Sequence, residues 1–206
     1  RIALPEGEQA LRHLWNLSVA EAVLRRKSVR NYSNAPLTLE ELSSLLWATQ
    51  GVRKILSPSC ALRTVPSAGA RHAFETYLAV QRVETLSPGL YRYLPFDNQL
   101  AQLRVDAQIN LKAASACMEQ DFVADAAVVF FWSTIPARTE WRYDRAAHKV
   151  IALDAGHVCQ NLYLACEAIG AGLCAIAAYY QDACDQLLGI DGEDEFTIYI
   201  AAAGKH

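Results

Sequence analysis

The sequence of 206 residues contains no Cys-x-x-Cys pair and no cluster of histidines. Zinc modules and disulfide frameworks are thereby set aside. Its six cysteines, Cys60, Cys117, Cys159, Cys166, Cys174 and Cys184, fall mostly in apolar runs, where a free thiol serves as a small hydrophobe. That usage fits a reducing, cytoplasmic setting. An excess of basic charge is also missing: 19 Lys and Arg against 22 Asp and Glu leave a net charge of −3, which argues against a nucleic-acid partner. The longest apolar stretch, residues 150–169, is broken by Asp154, His157, Gln160, Asn161 and Glu167, so no membrane span is expected. No secretory signal, His-Glu-x-x-His pair or Walker loop is visible. The chain opens at Arg1 without Met and stops at Gly204-Lys205-His206, as a trimmed or partial chain would.

What remains is ordinary for a globular protein: 52% hydrophobic and 20% charged residues, enough for a sizeable core. With no linker, repeat or low-complexity segment, residues 1–206 read as one domain.

Residues 1–17 carry little pattern beyond an extended Leu4-Pro5. Ser18-Val19-Ala20-Glu21 is a capping box that opens a short helix to about Arg26. Thr38-Leu39-Glu40-Glu41 is a second, starting a helix that Gly51 stops. Residues 52–66 read as loop. Strands are expected at 74–83, 90–93 and 99–104, joined by turns at Ser87-Pro88-Gly89 and 95–98, with a helix at 107–118. The continuous apolar run 126–135 fits a central strand. Residues 149–169 read as a long helix, apolar on almost every face and ended by Gly170. A buried strand at 173–180, a helix at 181–188 and a strand at 195–203 follow. Helices and strands mix without regular alternation, which favours an α+β class.

Three motifs are set aside on context. Gly170-Ala171-Gly172 with Ala175 matches a dinucleotide fingerprint, but a helix precedes it and a strand follows, the reverse of what that fingerprint needs. Ser67, in Pro66-Ser67-Ala68-Gly69, lacks the strand-turn-helix of a nucleophile elbow. His157, in a largely apolar helix, reads as a packing histidine.

The segment 25–30, Arg-Arg-Lys-Ser-Val-Arg, puts four cations and a hydroxyl into six residues just where a helix ends. Such a set can hold a phosphate, since arginine offers a planar fork and serine a short neutral donor. It can equally well suit the helix dipole.

Arg-x-Ser-x-Arg followed by Pro-Ser-Ala-Gly resembles the FMN-dependent nitroreductase superfamily, and the resemblance runs over roughly residues 18–204. It implies a nitroreductase-like α+β fold, a mostly antiparallel central sheet flanked by helices. It implies FMN as cofactor, with Arg26, Lys27, Ser28 and Arg30 clamping phosphate and ribityl chain. Pro66, Ser67, Ala68 and Gly69 would lie beside the flavin ring. Ile176, Ala177 and Ala178 stand where the family often has Ile-Gly-Gly facing the ring, and Lys205 where a basic residue reaches the phosphate. Pro66-Ser67-Ala68-Gly69-Ala70 and the run from Leu153-Asp154-Ala155-Gly156-His157 to Leu162 resemble the azoline-oxidase-like (SagB-type) branch. That branch carries Lys-Tyr shortly before the helix, whereas this chain has Arg142-Tyr143. Arginine stays protonated and makes a poor base, while Tyr143 can still donate a proton.

The resemblance further implies a homodimer with both subunits lining the flavin, ping-pong transfer through flavin N5, NAD(P)H or an organic substrate as donor, and a nitroaromatic, quinone or oxygen as acceptor. Tyr143 and Arg71 are the catalytic candidates. A guanidinium near flavin N1 and O2 would favour the reduced anion, although Arg71 can instead pair with Glu75 one turn on. Trp132, Trp141 and Tyr143 are candidate roof residues, with core packing preferred for Trp132. Two other readings remain open: a peptide-tailoring dehydrogenase, and a flavin-binding protein without turnover.

Overall fold

The computed structural model describes residues 1–206. Nine strands and eight α-helices follow one another as β1 (Ile2–Ala3), α1 (Gly7–Leu14), α2 (Val19–Arg25), α3 (Leu39–Gln50), β2 (Val52–Ser57), β3 (Cys60–Arg63), β4 (Phe74–Val80), β5 (Gly89–Leu94), β6 (Gln99–Val105), α4 (Ile109–Ala116), α5 (Asp121–Ala124), β7 (Val128–Thr134), α6 (Ala137–Tyr143), α7 (Ala147–Ala168), β8 (Ala171–Ile176), α8 (Gln181–Leu188) and β9 (Phe196–Lys205). Seven strands form one antiparallel sheet in the order β1-β6-β5-β4-β7-β9-β8. The class is α+β, as the mixed element order implied.

Side chains alternate across this sheet and feed two cores. From β7, Val128, Phe130 and Trp132 enter the larger core, shared with α3 and α7. Val129 and Phe131 enter the smaller one, shared with α4 and α8. Both faces of β7 are covered, so its apolar run has no polar alternation. Bulk and smallness match across the central pair: Val128, Val129 and Phe130 stand opposite Ala203, Ala202 and Ala201 of β9. Burying either face of such a strand contributes roughly 25 cal/mol per Å² of apolar surface. Trp132 is fully buried in the larger core, which removes it from the candidate roof.

Both capping boxes form, with Ser18–Glu21 opening α2 and Thr38–Glu41 opening α3. Two stretches correct the sequence reading. Residues 52–66 contain the hairpin β2–β3 rather than loop; β2 is largely exposed and its pairing with β3 is bulged, so its residues show no buried period. Residues 1–17 contain β1 and α1. Helix α1 is capped by Glu6 and buries only Gly7 and Ala10. Gly7 allows the close approach to α3, since a Cβ there would lie 2.7 Å from Trp47 Cβ.

Candidate active site

Helix α7 organises the site from both flanks of its buried stripe. On one flank is the basic segment. Helix α2 ends at Arg26, and the chain continues extended, with Ser28 bridged in parallel to Leu173 of β8 and Val29 N–H bonded to the Leu173 carbonyl at 2.9 Å. Val29 is buried directly over Gly172, where a Cβ would fall 2.6 Å from Val29 Cβ. Anchored there, the segment leaves Lys27, Ser28 and Arg30 exposed and Arg26 half-buried. Tyr163 of α7 receives it: its hydroxyl accepts the Ala175 N–H at 3.0 Å and lies 2.9 Å from Ser28 Oγ, and its ring sits 5.1 Å from Arg26 Cζ. Arg30 Cζ lies 5.8 Å from the Phe122 ring. Arg30 also faces Cys174, whose thiol burial pushes up and the guanidinium pulls back. Arg26, Lys27 and Arg30 enter no ion pair. The two guanidinium groups are thus held on aromatic faces, contributions of about 0.5–1 kcal/mol each, with their charge unspent.

On the other flank, Asp154 of α7 is 9% exposed and takes two donors. Ser67 Oγ donates to its Oδ2 at 2.7 Å, and Ala68 N–H donates to the carboxylate at 3.0 Å. Ser67 Oγ in turn accepts His72 N–H at 2.9 Å. One buried carboxylate therefore fixes the loop 66–72. That loop is contorted, with Gly69 at φ 59°, Ala70 at 52° and His72 at 48°. Left-handed geometry costs a non-glycine residue roughly 1–2 kcal/mol. Gly69 is needed for space as well, because a Cβ would lie 2.9 Å from Tyr143 Oη and 3.0 Å from Arg142 Nε.

The loop also brings the catalytic candidates together. Arg71 Nε donates to the Gly69 carbonyl at 3.0 Å, and its Cζ lies 4.9 Å from the ring of Trp141, which is 67% exposed. Tyr143 reaches Gly69 from α6, so Tyr143 and Arg71 meet at one glycine, with Trp141 against the far side of Arg71. The Arg71–Glu75 pair does not form; Glu75 is taken by Arg92 and Arg138.

Three further candidates lie elsewhere. Lys205 Nζ is 2.5 Å from Glu41 Oε1 and donates to the Ile169 carbonyl at 2.6 Å, so its charge is already matched at the C-terminal end of α7. Ile176 packs into the α4–α8 core, and Ala177 and Ala178 leave the sheet exposed, the Ala178 carbonyl accepting from Gln120 Nε2 at 2.9 Å. His157 is exposed on α7 rather than packed, because the face it shares with Leu153, Gly156 and Gln160 meets no other part of this chain. Asp154 is the site residue that motif reading passed over. A lone carboxylate within an apolar helix was the available signal.

Comparison with known proteins gives consistent findings. A family model described as the nitroreductase family matches residues 23–205. The Methanocaldococcus jannaschii protein MJ1384, which bears a nitroreductase assignment, is 30% identical over 204 residues, spanning 99% of this chain and 96% of that protein. The crystal structure of a protein from Ralstonia eutropha JMP134, also assigned as a nitroreductase, aligns with a TM-score of 0.80 at 28% identity, covering 99% of this chain and 88% of that one. A chain of the E. coli microcin synthetase McbBCD complex, solved with truncated pro-MccB17 bound, has the same fold, with a TM-score of 0.73 at 18% identity over 93% of this chain and 73% of its own.

Proposed function

Since this chain belongs to the nitroreductase family, we propose that it is an FMN-dependent oxidoreductase working in ping-pong order, with NAD(P)H or a small organic substrate as donor and a nitroaromatic, a quinone or oxygen as acceptor. The observation that carries the cofactor is the set of unpaired cations: Arg26, Lys27 and Arg30 face no carboxylate, and Ser28 adds a hydroxyl beside them. A phosphate dianion suits that donor set in charge and in hydrogen bonding. Asp154 and Tyr163, the anchors of the two clusters, lie nine residues apart on α7, about 13 Å along the axis at 1.5 Å per residue. Nine residues are about two and a half turns, so the two clusters face opposite sides of α7, and one FMN meets both kinds of contact when they come from two subunits.

When bound, FMN supplies two-electron chemistry at its N5. The protein's own residues bind and orient. Arg26 and Arg30 neutralise the phosphate, with Lys27 in support; Lys205 is left out because Glu41 already holds it. Residues 66–69, with 176–178, present backbone to the ring. Arg71 keeps a fixed cation beside Gly69 for charge at N1 and O2, and Tyr143 holds a proton at its phenolic oxygen. Arg142, at the same glycine, is permanently charged and accepts no proton, which disfavours azoline oxidation.

A homodimer belongs to the same proposal. Helix α7 leaves Leu153 55% exposed, and α2 leaves Val19, Val23 and Leu24 exposed, apolar surface that a second copy would cover. The six unpaired cysteines, five of them buried, suit a cytoplasmic enzyme.

The test is the visible spectrum of the purified protein, followed by identification of any flavin released on denaturation. A yellow protein releasing FMN is expected, and Arg26→Ala and Arg30→Ala each weaken FMN binding by about tenfold or more, one charge-assisted hydrogen bond being worth about 1.5–3 kcal/mol. A colourless protein that fails to bind added FMN ends this reading.

A further inference from the structure

Against the 66–72 loop lies a cavity of about 580 Å³, between the β2–β3 hairpin, β4, β5 and α6. Four arginines from four parts of the chain line it: Arg63 ending β3, Arg71, Arg92 on β5 and Arg138 on α6. Two carboxylates face them, and both are engaged. Glu75, with its side chain 11% exposed, holds Arg92 at 2.9 Å on Oε2 and Arg138 at 2.6 Å on Oε1. Asp97 pairs with Arg1 at 3.3 Å.

Arg63 and Arg71 have no carboxylate. Arg63 Nη1 donates to the neutral Gln50 Oε1 at 2.5 Å, while Arg63 Nε and Arg92 Nε are buried with no protein acceptor. Burial pulls the Arg63 guanidinium down to about 10, a fall that Glu75 opposes and Arg138 adds to. A half-buried cation without its own counter-charge is destabilising unless something compensates it. His72, also on the wall, supplies no negative charge: burial first, then Arg63, push its imidazole down to about 4, so it is neutral at pH 7. Stabilising Glu75 accounts for Arg92 and Arg138 but leaves Arg63 unexplained, and Arg71, on the same wall, adds a second cation without a carboxylate. Two apolar side chains on the lining, Ile55 and Phe96, are about two-thirds exposed, and Arg63 Cζ lies 5.9 Å from the Phe96 ring.

We propose that this cavity binds an organic anion, a carboxylate or phosphate monoester on a flat apolar body, with Arg63 and Arg71 as its charge partners. The anion pairs with two guanidinium groups that have no carboxylate, and the apolar body covers the exposed Ile55 and Phe96. The cavity wall includes Ala70 and Arg71, directly after Gly69, so the bound anion sits next to the proposed flavin loop. Only its description as the enzyme's substrate rests on the flavin reading; the binding itself does not.

The experiment uses the full-length protein at 150 mM ionic strength with its FMN content measured separately. Benzoate, phenyl phosphate and the neutral isostere benzamide are titrated, following the arginine Nε–H resonances by NMR and the heat by calorimetry. Saturable binding of benzoate or phenyl phosphate that shifts Arg63 Nε–H, at least tenfold tighter than benzamide, is expected, and whichever anion binds better identifies the headgroup. Arg63→Met and, as a variant that leaves the Gln50 contact intact, Arg71→Gln each weaken the anion at least tenfold and leave benzamide unchanged. Equal binding of benzamide, or anion binding unchanged in both variants with native melting curves, overturns the inference. Anion binding by a protein that takes no FMN keeps the pocket and removes the flavin reading.

Discussion

The two flanks of α7 hold their neighbours by different chemistry. Tyr163 uses one neutral hydroxyl, shared between Ser28 and the Ala175 amide, with its ring under Arg26. Asp154 uses a charged, nearly buried carboxylate that takes Ser67 and Ala68 together. Both residues are 9% exposed, but a neutral partner bonded to the exposed Ser28 contributes about 1 kcal/mol net, and water can replace it. A buried carboxylate binding two donors contributes more, because each bond is charge-assisted. The basic segment is therefore docked loosely on one side, while the 66–72 loop is pinned on the other. A loop with three residues in left-handed geometry needs the stronger anchor.

That contrast breaks first at Asp154. Asp154→Ala is expected to remove about 3 kcal/mol of stability, from two charge-assisted bonds, and to lower Tm by roughly 6–12 °C. Hydrogen exchange localised to 66–72 separates this from global damage; unchanged protection there refutes the anchoring role. Next comes Gly172→Ala, which drives a Cβ into Val29 and lifts the basic segment off β8. Overpacking of this kind costs about 2 kcal/mol. FMN affinity is expected to fall with it while exchange at 66–72 stays native, and equal loosening of both regions would erase the distinction between them.

Tyr163→Phe is milder, about 1 kcal/mol by denaturant titration, because Ser28 is exposed and turns to water. The smallest effect at neutral pH belongs to His72. Its folded value, about 4, lies below the ordinary 6.5, so the unfolded chain binds the extra proton between those values. The contribution of neutral His72 is complete above pH 6.5 and is lost as pH falls from 6.5 through 4. His72→Asn, tolerant of the left-handed backbone, is expected to flatten the stability profile in that window only. A profile identical to the parent's assigns the acid sensitivity to another group.

Much of the fold was legible because its signals are local. A capping box needs four residues, and both boxes form where the pattern put them. The apolar run at 126–135 reads as a covered strand for the same reason. The β2–β3 hairpin escaped notice because its residues face solvent and carry no period. Helix α1 escaped notice because its buried side is a glycine and an alanine, which leave no apolar stripe to see.

The site divides along the same line. Residues 26–30 are contiguous, so their charge density and hydroxyl are written in one stretch of chain. Whether those cations stay free depended on which carboxylates came near, and the fold spends Glu41 on Lys205 and none on Arg26 or Arg30. The Asp154–Ser67 bond joins positions 87 residues apart, and the arginine cavity draws on four separate elements. Neither has a local period or propensity to betray it. Composition and short-range pattern set the α+β class, most of the helices and strands and the basic segment, because those follow from backbone preference and burial within a few residues. The pinning of the 66–72 loop, the meeting of Arg71 with Tyr143 and the charge left over at Arg63 arose from packing, because electrostatic pairing is decided by proximity in space.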